Sequence, residues 1–484
     1  LHKDGNKFAR RLKEGVSDCR DYPQLVNIAT DGESYGHHTK FGDMALAYVL
    51  QIKAKEEGFT ITNYAEYLDK YRSDYEVDIK QASSWSCFHG VGRWKEDCGC
   101  STGGHPGWNQ KWRKPLREAL DYLRDELAKV YDEEGAKYFN ANPWDIRNKY
   151  INVILDRNEL NIKKFQNENF LPNLSEEQKV KAMELLEIQR QAMLMYTSCG
   201  WFFSEISGIE TVQIMKYAAR AMQLAANFTK KDLEKRFTEI LADAKSNIAE
   251  YGNGRDIFTN FVKPSIVTPK QIASLWALSS LYQDFEDEEN VYCYTVKRDE
   301  YQKIQKGNSN LVIGHIEIKS QITLQKSNLM FALMQYSGGD FHCAIKEYSD
   351  DAEFNKMKND LIKTFMLNPL TEIIRSLDEY FGKEYYTLKD IFIEERRKVL
   401  QILLKDKMEK FARNYQDMYD EAKGSIYHMQ NLGLAIPDEF KIAASYALSR
   451  KFNELVKHSG GFVDPGTIQE ASNINFETRN MGIK

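Results

Sequence analysis

The chain of 484 residues is 42% hydrophobic and 28% charged, with a formal net charge of −5. A chain of this length exceeds what one hydrophobic core supports, so two or three packing units are expected. The mild acidity argues against a nucleic-acid-binding protein and no apolar run is long enough to span a bilayer, so neither nucleic acid nor a membrane is an expected partner.

The cysteine content and the N-terminal sequence are the features from which the cellular compartment is predicted. Seven cysteines, an odd number in a long chain, do not resemble the disulfide framework of a secreted protein. Most are expected to be buried thiols in a reducing compartment, which predicts a cytoplasmic protein. The chain begins LHKDGNKFARR without an initiator Met, which we interpret as truncation or cleavage, so the compartment is inferred from cysteine usage alone.

The first predicted elements surround a polar segment. Residues 24–30 (QLVNIAT) are a short apolar run that predicts a buried strand, and residues 31–38 (DGESYGHH) follow it. Gly58 is expected to end the next element, an amphipathic helix. Its apolar face is predicted from helical spacing to comprise Phe41, Met44, Ala45, Tyr48 and Ile52.

A weaker helix is predicted around residues 63–71 and an alternating strand at residues 75–79. Strand–helix–strand alternation of this kind is typical of α/β architecture. Residues 83–112 then form a loop rich in Gly, Cys, Trp and His, and loops of this length are usually functional or disordered. Four of the seven tryptophans lie in it, which disfavours disorder: Trp85, Trp94, Trp108 and Trp112.

The rest of the chain alternates between helical and sheet patterns. Pro115 is expected to open a helix through about Tyr131, and residues 175–280 are helical in pattern. Residues 291–348 predict an antiparallel sheet with turns at 307–310 and 337–340.

Two further helices are predicted near the C-terminus. Thr387 and Asp390 resemble a capping box that opens a long helix. Pro437 is expected to open another helix, and Gly460 and Gly461 to end it.

The segment after the first predicted strand carries candidate catalytic residues. In barrels of alternating strands and helices, polar residues at the carboxyl ends of strands perform the chemistry. Asp31, if partly removed from water, would have a raised pKa and protonate a leaving oxygen. Alternatively, Asp31 with His37 or His38 could ligate a metal, or Asp31 and Thr39 could cap the following helix.

A family resemblance favours the first of these readings. ATDGESYGHH, residues 29–38, resembles the fourth conserved region of glycoside hydrolase family 57, and the resemblance implies that Asp31 is the general acid/base. The SSWS…RW…W…W run at 83–112 is similar to the fifth region, whose tryptophans line an α-glucan cleft. Residues 24–125 and 199–213 resemble a subgroup that joins a family 57-like catalytic part to a C-terminal domain of uncharacterised function.

The resemblance implies a retaining enzyme acting on α-1,4-glucans, of amylase, 4-α-glucanotransferase or branching type, with no cofactor. Retention requires a second carboxylate about 5 Å from the acid, which in the family is a Glu on an earlier strand. The 30 residues before Asp31 are too few to hold the earlier strands. The chain alone is therefore expected to lack hydrolytic competence unless the N-terminal half of the barrel associates with it.

The predicted α-glucan contacts are polar and aromatic. Polar contacts to sugar hydroxyls are expected from Glu33, His37 and His38. Stacking contacts are expected from Trp85, Trp94, Trp108 and Trp112, with Trp85 the leading candidate. Alternatively, one or two of these tryptophans pin the loop to the helix that follows.

A second possible site combines metal-ligand residue types. Its members are Cys87, His89, Cys98, Cys100 and His105. The C-x-H and C-x-C spacings suit zinc but lack the paired CxxC of zinc ribbons. Packed free thiols, or a redox pair of two of the cysteines (Cys98 and Cys100), are the favoured interpretations, so no metal is assigned.

Residues 199–213 contain charged and aromatic side chains. Glu205 and Glu210 are expected to be helix-start charges. Trp201 and Phe202 are expected to help close the cleft.

The predicted fold is mixed α/β and α+β and mostly helical. Residues 1–80 are expected to be the C-terminal part of an incomplete (β/α) barrel, residues 81–285 the Trp/Cys-rich loop and a helical domain, and residues 286–484 an antiparallel sheet with packed helices. Three alternatives to the glycoside hydrolase remain: a non-catalytic α-glucan-binding module, a metal-dependent polysaccharide deacetylase-like enzyme, and a purely structural domain.

Overall fold

The computed structural model describes residues 4–103, 105–283, 285–307, 309–336, 340–390, 393–458 and 465–482. It divides into two compact units, which we call unit 1 (Leu1–Ser83) and unit 2 (Ser84–Lys484). No helix within these described ranges is long and apolar enough to cross a membrane.

Unit 1 is built from short helices: α1 (Gly5–Lys13), α2 (Gly42–Tyr48), α3 (Ala54–Glu56) and α4 (Tyr64–Lys70). A π-helical turn, Val49–Lys53, joins α2 to α3. The core is small and consists of Phe8, Ala9 and Val49, against which Leu12, Tyr35 and Leu46 pack. Unit 1 therefore holds its polar segment, residues 31–38, on a limited apolar base.

The two strands predicted in unit 1 are wrong. Residues 24–30 and 75–79 form no strand. A strand needs a neighbouring strand to satisfy its backbone groups, and unit 1 has no strand among its described residues. Tyr75, Val77 and Ile79 are 84–90% exposed, so the second segment has no apolar layer to pack on either. The barrel expected for residues 1–80 stays a prediction.

The helices predicted in unit 1 are confirmed, but one predicted face is not. The predicted amphipathic helix ends with α3 at Glu56, and Gly58 in the turn that follows adopts a left-handed φ of 79° that glycine tolerates. Asn63 caps α4. Of the predicted apolar face, Phe41, Met44 and Ile52 are exposed, and the core takes Val49 instead. The π-helical turn shifts the helical phase from Val49 onward, which periodicity of 3.6 does not anticipate.

Unit 2 begins with the predicted loop and continues as a helical bundle. The helices are α5 (Arg113–Gly135), α6 (Pro143–Lys149), α7 (Ile151–Leu155), α8 (Glu159–Asn169), α9 (Glu176–Leu194), α10 (Ile209–Ala225), α11 (Leu233–Leu241), α12 (Gly254–Ile257) and α13 (Pro269–Ser279). Helix α5 lays four fully buried leucines along one face at helical spacing: Leu116, Leu120, Leu123 and Leu127. Ser175 and Gln178 form a reciprocal capping box that opens α9.

The predicted antiparallel sheet is confirmed. Its strands, hydrogen-bonded in sequential order, are β1 (Glu288–Val291), β2 (Tyr294–Lys306), β3 (Ser309–Ser320), β4 (Lys326–Gln335), β5 (Phe341–Glu347) and β6 (Tyr385–Tyr386). The predicted turn at 307–310 joins β2 to β3, with Asn308 outside the described residues. Residues 337–339 of the second predicted turn also lie outside them.

Helices cover both faces of the sheet. Trp276 of α13 packs with Val312 and Phe331 on one face. On the other face, α14 (Asp351–Leu367) and α15 (Leu370–Phe381) pack on alternate residues of the same strands. Burial on both faces explains the continuous apolar runs at residues 311–314 of β3 and 329–334 of β4.

Among the described residues, three helices follow: α16 (Ile393–Asn431), α17 (Asp438–His458) and α18 (Pro465–Asn480). Thr387 donates its backbone N–H (2.7 Å) and hydroxyl (2.9 Å) to the Asp390 carboxylate ahead of α16. Helix α17 begins directly after Pro437, as predicted, whereas Gly460 and Gly461 lie outside the described residues. The fold is thus mixed α+β with an open six-stranded antiparallel sheet.

Gly314→Ala is expected to destabilise unit 2 by about 1–3 kcal/mol because it overpacks the sheet. A Cβ at Gly314 of β3 would lie 2.6 Å from the Phe331 ring and 2.8 Å from the Glu300 carbonyl oxygen. The measurement is the urea-unfolding midpoint, followed by circular dichroism. Gly424→Ala on α16 is the control, because a Cβ there meets nothing within 4 Å and should stabilise the helix by about 0.5–1 kcal/mol. Equal midpoints for the two variants would contradict the packing described for β3.

Candidate functional site

In unit 1, residues 31–38 form a compact turn. Residues Gly32–Ser34 make one 3-10 turn, and the N–H of His38 donates to the Glu33 carbonyl (3.0 Å). The Glu33 carboxylate and His38 Nε2 are 3.4 Å apart, and the rings of His37 and His38 meet edge to face. Tyr35 packs on the small core. The turn therefore places the Glu33 carboxylate beside the imidazole of His38, with the His37 ring against it, at an exposed surface.

Asp31 begins this turn and has a free carboxylate. Its side chain is exposed, makes no capping hydrogen bond to the 3-10 turn, and has no hydrogen bond or ion pair within the described residues. Helix α2 begins after Phe41 without a side-chain cap, so neither Asp31 nor Thr39 caps it. The structure thus removes the capping explanation for Asp31.

In unit 2, four of the five predicted Cys/His residues come together. The ligand atoms of Cys87, His89, Cys98 and Cys100 all lie within 4.8 Å of one another. We call these four residues the Cys/His cluster. His105 lies outside the cluster and stacks on Trp108 with 3.9 Å between ring centroids.

Within the described ranges the cluster is the only group of three or more His, Cys, Asp or Glu side chains with metal-holding geometry. Asp31 is not brought into such a group with His37 and His38. The cysteine prediction also needs correction: Cys87 and Cys343 are buried, whereas Cys19, Cys199 and Cys293 are exposed. All seven are free thiols.

The electrostatics of the cluster favour a thiolate at one position. Burial by itself would raise the pKa of the Cys87 thiol. Hydrogen bonds outweigh this effect and lower the pKa to about 6; they come from the backbone N–H groups of Arg93 and His89 and from the thiols of Cys98 and Cys100. Burial raises the pKa of Cys98, which the N–H of Cys100 offsets only in part. The cluster therefore presents one activated sulfur, that of Cys87, beside a Cys98 thiol whose pKa is raised. The thiolate is the form of cysteine that binds metals and attacks electrophiles.

The loop that carries the cluster is fixed to three consecutive backbone carbonyls. Arg93 donates to the carbonyl of Phe202 (2.9 Å), Arg113 to that of Phe203 (3.5 Å), and the indole N–H of Trp112 to that of Ser204 (3.3 Å). We call this arrangement the carbonyl clamp. Because all three donors come from residues 93–113, the clamp ties the loop to the segment between α9 and α10.

Arg113 also contacts the cluster. Its guanidinium donates to the Cys100 carbonyl (2.9 Å), and burial lowers the pKa of Arg113 to about 10. The side chain is fully buried, and Arg93 is only 6% exposed. With a pKa of about 10, Arg113 remains charged near neutral pH. Neither arginine forms an ion pair within the described part of the chain. A buried charge without a counter-charge is costly.

Glu205 anchors the same segment from the other side, and its prediction as a helix-start charge is wrong. Its buried carboxylate accepts hydrogen bonds from the Ser246 hydroxyl (2.6 Å), the Asn247 N–H (2.8 Å) and the Ser207 N–H (3.1 Å). The Asn247 side chain in turn accepts from the N–H of Asn109 and donates to its carbonyl. Glu210 does lie in the first turn of α10, as predicted.

The four tryptophans of the loop divide into structural and exposed residues. Trp112 is fully buried, so it pins the loop, as the alternative interpretation held, and is not available to stack on a sugar. The indole N–H of Trp94, which is half-buried, donates to the Ser198 carbonyl (3.1 Å). Trp108 is half-buried against His105. Trp85 is 87% exposed and is the one of the four that is freely presented to a ligand.

The aromatic residues of the neighbouring segment also differ from their prediction. Trp201 is buried and therefore packs in the core. Phe202 is 37% exposed, with the Arg93 guanidinium 4.5 Å from its ring centroid.

One buried acid network was missed by sequence reasoning. Glu187, almost fully buried on α9, accepts from the Tyr150 hydroxyl (2.6 Å) and pairs with Arg157 (2.7 Å) and Arg190 (3.2 Å). Its sequence context, a polar residue on a helix, looks like a solvated position. Only the folded chain buries this position, because its partners Tyr150 and Arg157 come from 37 and 30 residues away.

A family model covers residues 108–392, more than half of the chain, and is described as a domain of unknown function, DUF3536. The chain belongs to the DUF3536 family. The match includes Trp112, Arg113 and the clamped carbonyls and begins after the Cys/His cluster. No curated protein and no solved structure matches the chain.

Glu205→Ala is expected to destabilise the DUF3536 chain by about 2 kcal/mol or more, because buried hydrogen-bond donors lose their acceptor. It should also increase protease cleavage within residues 84–112, because Asn247 then loses its support against Asn109. The measurements are the urea midpoint and limited proteolysis. Glu210→Ala is the matched control, with an expected change within about 0.5 kcal/mol. Similar cleavage rates in both variants would show that Glu205 does not support the loop.

Proposed function

We propose that this chain is part of a retaining α-glucan-active glycoside hydrolase or transglycosylase in which Asp31 is the general acid/base. The single observation that supports this most is the exposed Asp31 carboxylate, which serves no capping or pairing role within the described residues. The resemblance of residues 29–38 to the fourth conserved region of glycoside hydrolase family 57 supplies the chemistry.

In the proposed reaction, Asp31 protonates the glycosidic oxygen as the bond to the leaving group breaks. It then removes a proton from the water or sugar hydroxyl that resolves the glycosyl intermediate. The nucleophile is a second carboxylate about 5 Å away, contributed by the N-terminal part of the barrel. Glu33 does not take that role, because its carboxylate lies beside His38 and suits a contact to a sugar hydroxyl.

A second candidate function is a non-catalytic α-glucan-binding module. It is favoured by the exposure of Trp85 (87%) and Phe88 (103%) on either side of Cys87. Large apolar rings held at a surface commonly mark a binding site. The deacetylase-like alternative requires Asp31 and a histidine to share a metal, and Asp31 belongs to no group of three or more candidate ligands among the described residues.

Asp31→Asn is expected to lower the turnover of maltooligosaccharides by the full-length protein about 10²–10⁴-fold, because Asn cannot transfer the proton. The measurement is kcat by reducing-end release. Glu33→Gln is the control and should mainly raise KM, because it changes a hydroxyl contact and leaves proton transfer intact. Full activity of the Asp31 variant would refute its role as acid/base. Absence of turnover in the wild type would favour the binding module.

Trp85→Ala is expected to weaken maltooligosaccharide binding about fivefold to tenfold, since an aromatic stacking contact is worth about 1 kcal/mol. The measurement is isothermal titration calorimetry with this chain. Tyr427→Ala, which removes another exposed ring of unit 2 (67% exposed), is the control and should leave the affinity unchanged. A wild-type chain that binds no maltooligosaccharide would rule out the binding module.

A further inference from the structure

We propose that the Cys/His cluster is a structural zinc site in which Cys87, His89, Cys98 and Cys100 complete a closed tetrahedral coordination. The proposal is independent of the α-glucan function, because it rests on geometry within unit 2. The sequence favoured packed thiols or a redox pair for these cysteines. In the proposal they are instead the zinc ligands that hold the loop.

All six separations between the ligand atoms are within 4.8 Å, and two of them have the length of a tetrahedron edge around one zinc ion. With zinc–sulfur bonds of about 2.3 Å and zinc–nitrogen bonds of about 2.0 Å, two thiolates lie about 3.8 Å apart, and a thiolate and an imidazole nitrogen about 3.5 Å apart. The sulfurs of Cys87 and Cys98 are 3.8 Å apart. The Cys100 sulfur and His89 Nδ1 are 3.5 Å apart. Both edges therefore have the length that a shared zinc imposes.

The backbone is shaped to bring the two ligand pairs together. Gly92 lies between them, and a Cβ there would be 2.9 Å from Cys98 Cβ and 3.3 Å from His89 Cβ. Gly99, between Cys98 and Cys100, adopts a φ of 80° that other residues rarely take. The close approach at Gly92 and the left-handed backbone at Gly99 allow the C-x-H segment to face the C-x-C segment.

Charge supplies a second, separate argument. Arg93 and Arg113 are buried beside the cluster without an ion pair among the described residues. The Asp97 carboxylate attracts Arg113 but accepts a hydrogen bond from the Gln110 N–H instead of pairing with it. Three thiolates, one neutral imidazole and Zn²⁺ carry one net negative charge. That anionic centre gives the buried guanidinium groups a counter-charge that neutral thiols would not provide.

The ligand set identifies both the metal and its role. Three sulfurs and one imidazole in a tetrahedral arrangement select zinc over oxygen-preferring ions such as Mg²⁺ or Ca²⁺. Four protein ligands leave no position for a substrate or water, which is typical of structural sites. The zinc would cross-link the loop close to the carbonyl clamp and hold Trp85 and Phe88 at the surface on either side of Cys87.

The test is the zinc content of the full chain, purified under reducing conditions without chelator and measured by inductively coupled plasma mass spectrometry. About one zinc ion per chain is expected, and Co²⁺ exchanged into the site should show thiolate charge-transfer and tetrahedral ligand-field bands. Cys100→Ser should reduce the zinc content at least about tenfold. Cys199→Ser and His105→Asn are controls, an exposed cysteine and a histidine outside the cluster, and should retain it.

Two substitutions at His89 test zinc binding separately from folding, because this ligand is exposed. His89→Cys preserves four ligands and should keep about one zinc per chain while shifting the Co²⁺ bands, whereas His89→Ala should bind zinc at least about tenfold more weakly. Reduced wild-type protein that takes up neither zinc nor Co²⁺ would overturn the proposal. So would iron in place of zinc, a disulfide that persists under reduction, or undiminished zinc in Cys100→Ser.

Discussion

Three consecutive backbone carbonyls, those of Phe202, Phe203 and Ser204, determine where the loop of unit 2 can lie. Each accepts a hydrogen bond from a different side chain of the loop or of the start of α5. Since the acceptors are spaced by single residues, the donors must converge, and the loop cannot slide along the segment. The positions of the Cys/His cluster and of the exposed Trp85 follow from this constraint.

The donors of the clamp create an electrostatic requirement as well as a geometric one. Two of them are buried guanidinium groups, and the desolvation of a charge is tolerated only where an opposite charge or several hydrogen bonds compensate. Carbonyl oxygens give partial compensation. The sulfur-rich cluster beside Arg113 gives the rest if its thiols are ionised, and a bound metal ion is the usual means of ionising several thiols together. The geometry of the loop, the buried guanidinium groups and the proposed metal site therefore depend on one another.

Sequence patterns predicted those parts of the molecule whose burial is regular. The helix expected from Pro115 to about Tyr131, the helical pattern of residues 175–280 and the alternating strands of the sheet each have a signal in the sequence that decides the structure. Unit 1 was predicted less well, because residues 24–30 are apolar yet have no neighbouring strand. The π-helical turn after Tyr48 altered a helical face in a way that no 3.6-residue period reveals.

The candidate site shows the same division between local and long-range information. The residue types of the Cys/His cluster were visible in the sequence, and so was the segment DGESYGHH. What could not be predicted was that four ligands of five converge, because the irregular loop that carries them has no periodicity. The burial of Trp112 and the anchoring of Asn247 by Glu205 could not be predicted either, because they depend on contacts across 92 and 42 residues. X-ray absorption at the zinc edge of the reduced protein tests the account most directly. The account predicts three sulfur ligands at about 2.3 Å and one nitrogen at about 2.0 Å. A protein without zinc, or zinc bound mainly by oxygen, would contradict it.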